Sequence, residues 1–121
     1  MSINSYQDLK VWQFSMNLAE KVYHLTYQFP KQETYGLSSQ IQRAAVSVPS
    51  NIAEGHTRDS TKEYLQFLSV ALGSLAELET QLILAERLSY LDIQDLQTVL
   101  SKTDEISRMI RGLQKALKAK L

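Results

Sequence analysis

Apolar side chains recur at the three- and four-residue spacing of an α-helix along four stretches of the chain. In the first stretch, Leu9, Trp12, Met16, Ala19, Tyr23 and Thr26 form one stripe, and Val11, Phe14, Leu18, Val22, Leu25 and Phe29 form a second beside it. So wide an arc exceeds what one neighbouring helix covers; either two flanking helices absorb it or a second copy of the chain does. Ser5 followed by Asp8 reads as a capping pair at the start of this helix. Phe29-Pro30 ends it, because the residue before a proline avoids the α region.

The second stretch begins near Leu37 after the connector KQETYG, and its apolar set is Leu37, Ile41, Ala44, Ala45, Val48 and Ile52. This pattern runs straight through Pro49. A break there would make Val48 the N-cap of a new helix, and valine has no side-chain oxygen for the free amides. The spacing therefore predicts one helix with a kink at Pro49, despite a cost of about 3 kcal/mol for proline in a helix interior. Ser47 and Ser50 are placed to hydrogen-bond freed carbonyls, and Gly55 reads as the C-terminal stop. In the third stretch Ser60 and Glu63 form a capping box, and Leu68, Ala71, Leu75, Leu78, Leu82 and Ala85 hold a heptad seam. Ser69, Gly73 and Ala76 share a neighbouring face, where small side chains admit a close approach by another helix. Asp92 caps the fourth helix, with Leu96, Val99, Thr103, Ile106, Ile110, Leu113 and Leu117 as its seam.

Helices over about 6–28, 37–55, 61–89 and 93–119, joined by short connections, predict an all-α fold in a single domain spanning 1–121. The topology expected is an antiparallel up-down-up-down four-helix bundle with a proline-kinked second helix. The absence of cysteine removes disulfides, thiolate metal sites and cysteine nucleophiles, and fits a reducing cytosol. The start, MSINSYQDLK, lacks the basic and apolar regions of a signal peptide, and the most apolar run, 65–78, is too short and interrupted to span a bilayer. A cytoplasmic protein without membrane contact is the expectation. The net charge of zero hides an asymmetry: residues 1–105 carry −5 and residues 106–121 carry +5.

Candidate chemistry is sparse. Bundles that hold two metals use Glu-x-x-His pairs on inward faces, and no such pair occurs. Glu20 and His24 share a face four residues apart, but one pair cannot complete a coordination shell, and a partly exposed salt bridge is the plainer reading. His56 follows a helix-stopping glycine and reads as a solvated turn residue. No serine sits in a nucleophile elbow, no Gly-rich loop cradles phosphate, and Glu54 is spaced to pair with Arg58. The expectation is a protein with no enzymatic activity, no catalytic residues, no metal and no cofactor.

The basic arm carries more. Arg108, Arg111, Lys115 and Lys118 follow one another at spacings of three, four and three, on one flank of the fourth helix. Such a row suits phosphate binding that weakens with salt as counterions are released. It equally suits cations complementing the dipole at a helix C-terminus. Arg43, Arg58 and Lys62, near the second helix and its exit, are second-rank phosphate contacts. Aromatic residues for base stacking are absent from the fourth helix.

Three motifs in order carry a resemblance: YQDLKVW (6–12), FPKQETYGLSSQIQRAAVSVPSNIAEG (29–55) and EYLQFLSVALGSLAELETQL (63–82). Over roughly residues 5–117 the chain resembles the bacterial four-helix bundle family named for proteins encoded in 23S rRNA intervening sequences. The same pattern occurs in the accessory variability proteins of diversity-generating retroelements, and QIQRAAVSVPSNIAEG is its most diagnostic piece. After Gly55 the family often continues with an aromatic residue or glycine and then a basic residue; here His56-Thr57-Arg58 keeps only the basic one. The resemblance implies a ring-shaped homopentamer. In the retroelement branch it also implies a basic adaptor for RNA or DNA that meets a reverse transcriptase. Members of that branch are markedly basic, whereas this chain is neutral. The expectation is thus a homo-oligomeric accessory protein that binds nucleic acid or a nucleoprotein, with an assembly scaffold for another protein partner as the alternative.

Overall fold

The computed structural model describes residues 5–121. Four helices make the fold: α1 (Lys10–Thr26), α2 (Leu37–His56), α3 (Thr61–Arg87) and α4 (Ile93–Lys118). No strand occurs among the described residues. The first helix is shorter than its apolar period suggests. Ser5 does accept a hydrogen bond, from the Gln7 amide, but it caps a separate 3-10 turn over Tyr6–Asp8. Leu9 is extended, so α1 starts at Lys10 without a side-chain cap. The connector before α2 likewise contains a 3-10 turn, Lys31–Glu33. The caps expected further on are in place, with Ser60 accepting from the Glu63 amide and Asp92 from the Asp95 amide.

Helices α1 and α2, α2 and α3, α3 and α4, and α4 and α1 pack as neighbours, which leaves α1 opposite α3 and α2 opposite α4. Side-chain pairs fix the register. Across α2 and α3, Gln81 reaches Gln40 at 3.5 Å and Ser47 pairs with Ser74 at 2.8 Å. Across α3 and α4, Thr103 donates to Glu79, and Gln114 donates to Ser69 at 3.3 Å. In both seams numbers rise on one helix as they fall on the other, as antiparallel neighbours require. Between them lies a core that includes Leu18, Val22, Ile41, Val48, Ile52, Leu68, Leu78, Leu82, Ile106 and Ile110.

Pro49 lies inside α2, which continues unbroken to His56, so the chain does not stop at the proline. The serines beside it behave differently from expectation. Ser47 spends its hydroxyl on Ser74, and Asn51 donates to the Ser47 carbonyl at 2.7 Å. Gly55 is also no ordinary stop. It is buried within the helix at negative φ, and a Cβ built on it would stand 2.7 Å from the Phe67 Cβ. Its role is close approach of α2 to α3. Gly73 is the converse: a Cβ there meets nothing within 4 Å, so no packing among the described residues explains it.

The two stripes of α1 divide. Val11, Leu18, Val22, Leu25 and Phe29 enter the core and Phe14 stays exposed, whereas Trp12, Met16 and Tyr23 line an outward groove shared with Val46, Pro49 and Ala53 of α2, with the buried Ala19 at its base. The apolar run of α3 belongs to a 27-residue helix whose mean hydropathy of 1.4 over its most apolar window would, by length and composition, suffice to cross a membrane. One face of that helix, from Leu68 to Ala85, packs in the bundle core, and the outer face remains exposed.

Candidate nucleic-acid interface

The last two turns of α4 put Arg111, Lys115 and Lys118 on its exposed side, because Ile110, Gln114 and Leu117 are drawn into the bundle. Gln114 anchors this end through its hydrogen bond to Ser69. Among the described residues none of the three cations has a carboxylate within 4.0 Å. Arg108, the first of the row, is engaged: its guanidinium lies 3.1 Å from Asp104 one turn earlier. Its side chain is 80% exposed, so the pair is strongly screened and contributes little to stability. It does neutralise the charge. The effective cation row thus starts at Arg111.

The three second-rank candidates fall in different places. Measured from the Gln114–Ser69 contact, Lys118 lies level with residue 65 of α3, and Lys62 follows about 4–5 Å further along the bundle. Lys62 is exposed and extends the row across the seam, flanked by Glu63. Arg58 is at the same end but occupied. It pairs with Glu54 at 3.3 Å, as the spacing suggests, and its guanidinium stacks over the Phe67 ring at 4.8 Å. Arg43 does not join them. It lies in α2 between Gln40, level with Gln81, and Ser47, level with Ser74, well away from the α4 terminus. Sequence reasoning missed the Arg58–Phe67 stack, which depends on where α3 starts after the turn.

Aromatic residues toward this end include Tyr64 and Phe67 of α3 and His56 of α2. His56 is not a free turn residue: it is the last residue of α2, partly buried, with its ring edge-on to Tyr64 at 5.8 Å. The Tyr64 hydroxyl is buried and has no hydrogen-bond partner among the described residues, and burial pushes its pKa up to about 12. Glu20 and His24 do not form the expected ion pair; they line a shallow cleft with Asn17, Lys21 and Gln28. Among the described residues no group of three acidic, histidine or cysteine side chains is arranged to hold a metal ion. What the basic end can do chemically is bind phosphate by charge, since Arg111, Lys115 and Lys118 are exposed donors with unspent charge.

The model of a family described as 23S rRNA-intervening sequence protein matches residues 7–112. Among solved structures, the chain is similar to a protein with unknown function from the S23 ribosomal protein family of Bacteroides thetaiotaomicron VPI-5482, with a TM-score of 0.80 and 24% identity over 87% of this chain and 98% of that one. That likeness is one of fold. A comparison with curated proteins finds no match.

Proposed function

The chain belongs to the 23S rRNA-intervening sequence protein family, and from that premise we propose that it works without catalysis, as a self-associating helical bundle that holds nucleic acid at the basic end of α4. The observation that carries this reading is the trio Arg111, Lys115 and Lys118, exposed and without carboxylate partners among the described residues, at the end of a chain whose first 105 residues carry a net −5. Lys62 adds a fourth cation across the α3–α4 seam. Contact of this kind goes to phosphates, so it positions the protein without reading sequence. Self-association, in the ring of five that the resemblance implies, repeats the row around an axis.

Binding to a structured RNA, followed by gel shift or fluorescence anisotropy at several salt concentrations, tests the reading. Reversing all three charges (R111E, K115E and K118E together) removes binding, whereas Lys31→Glu, at the opposite end of the bundle, leaves it close to the parent. Equal loss in both variants means a net-charge effect and removes the site. A second reading, a scaffold that meets another protein, is favoured by one observation: the exposed apolar groove formed by Trp12, Met16, Tyr23 and Val46. Tight binding of a protein partner with no RNA shift even at low salt decides for it.

A further inference from the structure

Two apolar surfaces on different sides of the bundle have no partner among the described residues. One is the groove of about 460 Å³ between α1 and α2, floored by Ala19 and Pro49 and walled by Trp12, Met16, Tyr23 and Val46. Met16 is 44% and Val46 42% exposed, so these walls are open to solvent. The other is the outer strip of α3, where Val70, Gly73, Ala76, Ile83, Leu84 and Leu88 are all exposed. Glu77 is the one charge on that strip between Gln66 and Glu86, because Glu79 turns inward to Thr103. The first surface is concave, the second is the convex side of a helix. Each copy carries one of each.

We propose that the groove of one copy receives the α3 strip of the next, in a head-to-tail contact between copies of this chain. The proposal rests on the self-association in the proposed function and specifies its interface. Two matches single out a second copy as the occupant. The first is height. The Gln40–Gln81 and Ser47–Ser74 contacts put Val46 and Pro49 level with residues 75 and 72, so the groove centre and the bare backbone of Gly73 lie at the same height along the bundle. A head-to-tail contact can close into a ring only when joined patches share a height on the axis and the rotation between copies closes; a difference in height makes it climb into an open filament. The second is charge. Arg43, on the exposed side of α2 beside the groove, falls level with residue 78, one position from Glu77. Neither has an ion-pair partner among the described residues. Copies side by side at equal height bring Arg43 of one toward Glu77 of the next.

Arg43 thereby leaves the list of phosphate contacts and becomes an assembly residue. The absence of a side chain at Gly73 also gains a reason, since it lets Met16 and Val46 of the neighbour reach the α3 backbone. The test is multi-angle light scattering on the parent, Arg43→Glu, Glu77→Arg and the double swap, with far-UV circular dichroism to confirm that each variant folds. Opposed like charges at a contact are strongly unfavourable, so each single variant should self-associate about tenfold or more weakly, and the double swap should recover the parent's mass. A parent that is oligomeric but indifferent to both single swaps, or single variants that dissociate without rescue by the double, overturns this interface while self-association stands. A monomeric parent at all concentrations overturns both.

Discussion

Glycine, at the residue scale, takes opposite meanings in this chain. At Gly55 an added Cβ meets the Cβ of Phe67 at 2.7 Å and the backbone oxygen of Tyr64 at 3.3 Å. Neither atom belongs to the free end of a flexible side chain, so α2 and α3 have to part to make room. Gly55→Ala therefore destabilises the fold by about 1–3 kcal/mol, the range for overpacking, despite the better helix propensity of alanine. At Gly112, exposed on α4, the same Cβ meets nothing within 4 Å. Gly112→Ala accordingly gains up to about 1 kcal/mol from propensity alone. Urea unfolding midpoints of the two variants, moving in opposite directions from the parent, check the pair. A common shift sinks the packing account of Gly55. Sequence reasoning could place Gly55 at the end of an apolar run, but a terminal glycine reads as a C-cap by default. That it instead admits Tyr64 and Phe67 depends on the crossing of two helices, which no local pattern encodes. The Asp104–Arg108 pair is different: its four-residue spacing is the same one that pairs Glu54 with Arg58, so the sequence already held the signal that Arg108 is engaged.

Periodicity made the four helices legible at the element scale, because a buried seam repeats every three or four residues wherever a helix has one inner face. Their ends were less legible, since ends are set by contacts from outside the element. The start of α2 is the clearest instance. Gly36, its N-cap, offers no side-chain acceptor, and Glu33 from the preceding turn supplies one by accepting the Leu37 amide at 3.1 Å. The other oxygen of Glu33 accepts the Tyr90 hydroxyl at 3.0 Å, so one carboxylate ties the α1–α2 connector to the turn between α3 and α4. That hydrogen bond, then desolvation and the negative charge of Glu33, raise the Tyr90 pKa. Glu33→Ala removes the cap and the tie together, with a loss of about 1 kcal/mol from the cap alone. The phenols of Tyr90 and Tyr64 both hold their protons more tightly in the folded chain than in the unfolded one. Their contribution is therefore complete below pH 10 and is lost as pH rises through the folded values, about 12 for Tyr64. Unfolding midpoints should hold steady to about pH 10 and fall beyond it, and Tyr64→Phe should lessen the fall. A midpoint that is flat across this window contradicts the assignment.

Across the whole molecule, charge and apolar surface are sorted by position. The basic row ends α4, the unfilled groove opens between α1 and α2, and the apolar strip runs down α3. If copies join at equal height, every α4 terminus points toward the same face of the assembly, and single weak rows add into one phosphate-binding surface. Salt dependence measures this addition. One copy offers Arg111, Lys115, Lys118, Lys120 and Lys62, five unpaired cations among the described residues at this end. Neutralising one phosphate contributes about −0.9 to the slope of log K against log salt on a duplex and about −0.7 on a single strand. A chain acting alone therefore gives a slope no steeper than about −4.5 on a duplex or −3.5 on a single strand. An assembly whose adjacent rows share one nucleic acid should exceed that limit, and should do so only at concentrations where light scattering shows copies associated. Lys115→Ala should then reduce the slope by more than the single unit expected of one contact, because the residue is lost from every copy that touches the strand. A slope within the one-copy limit from an associated sample means that the basic ends act separately, whatever holds the copies together.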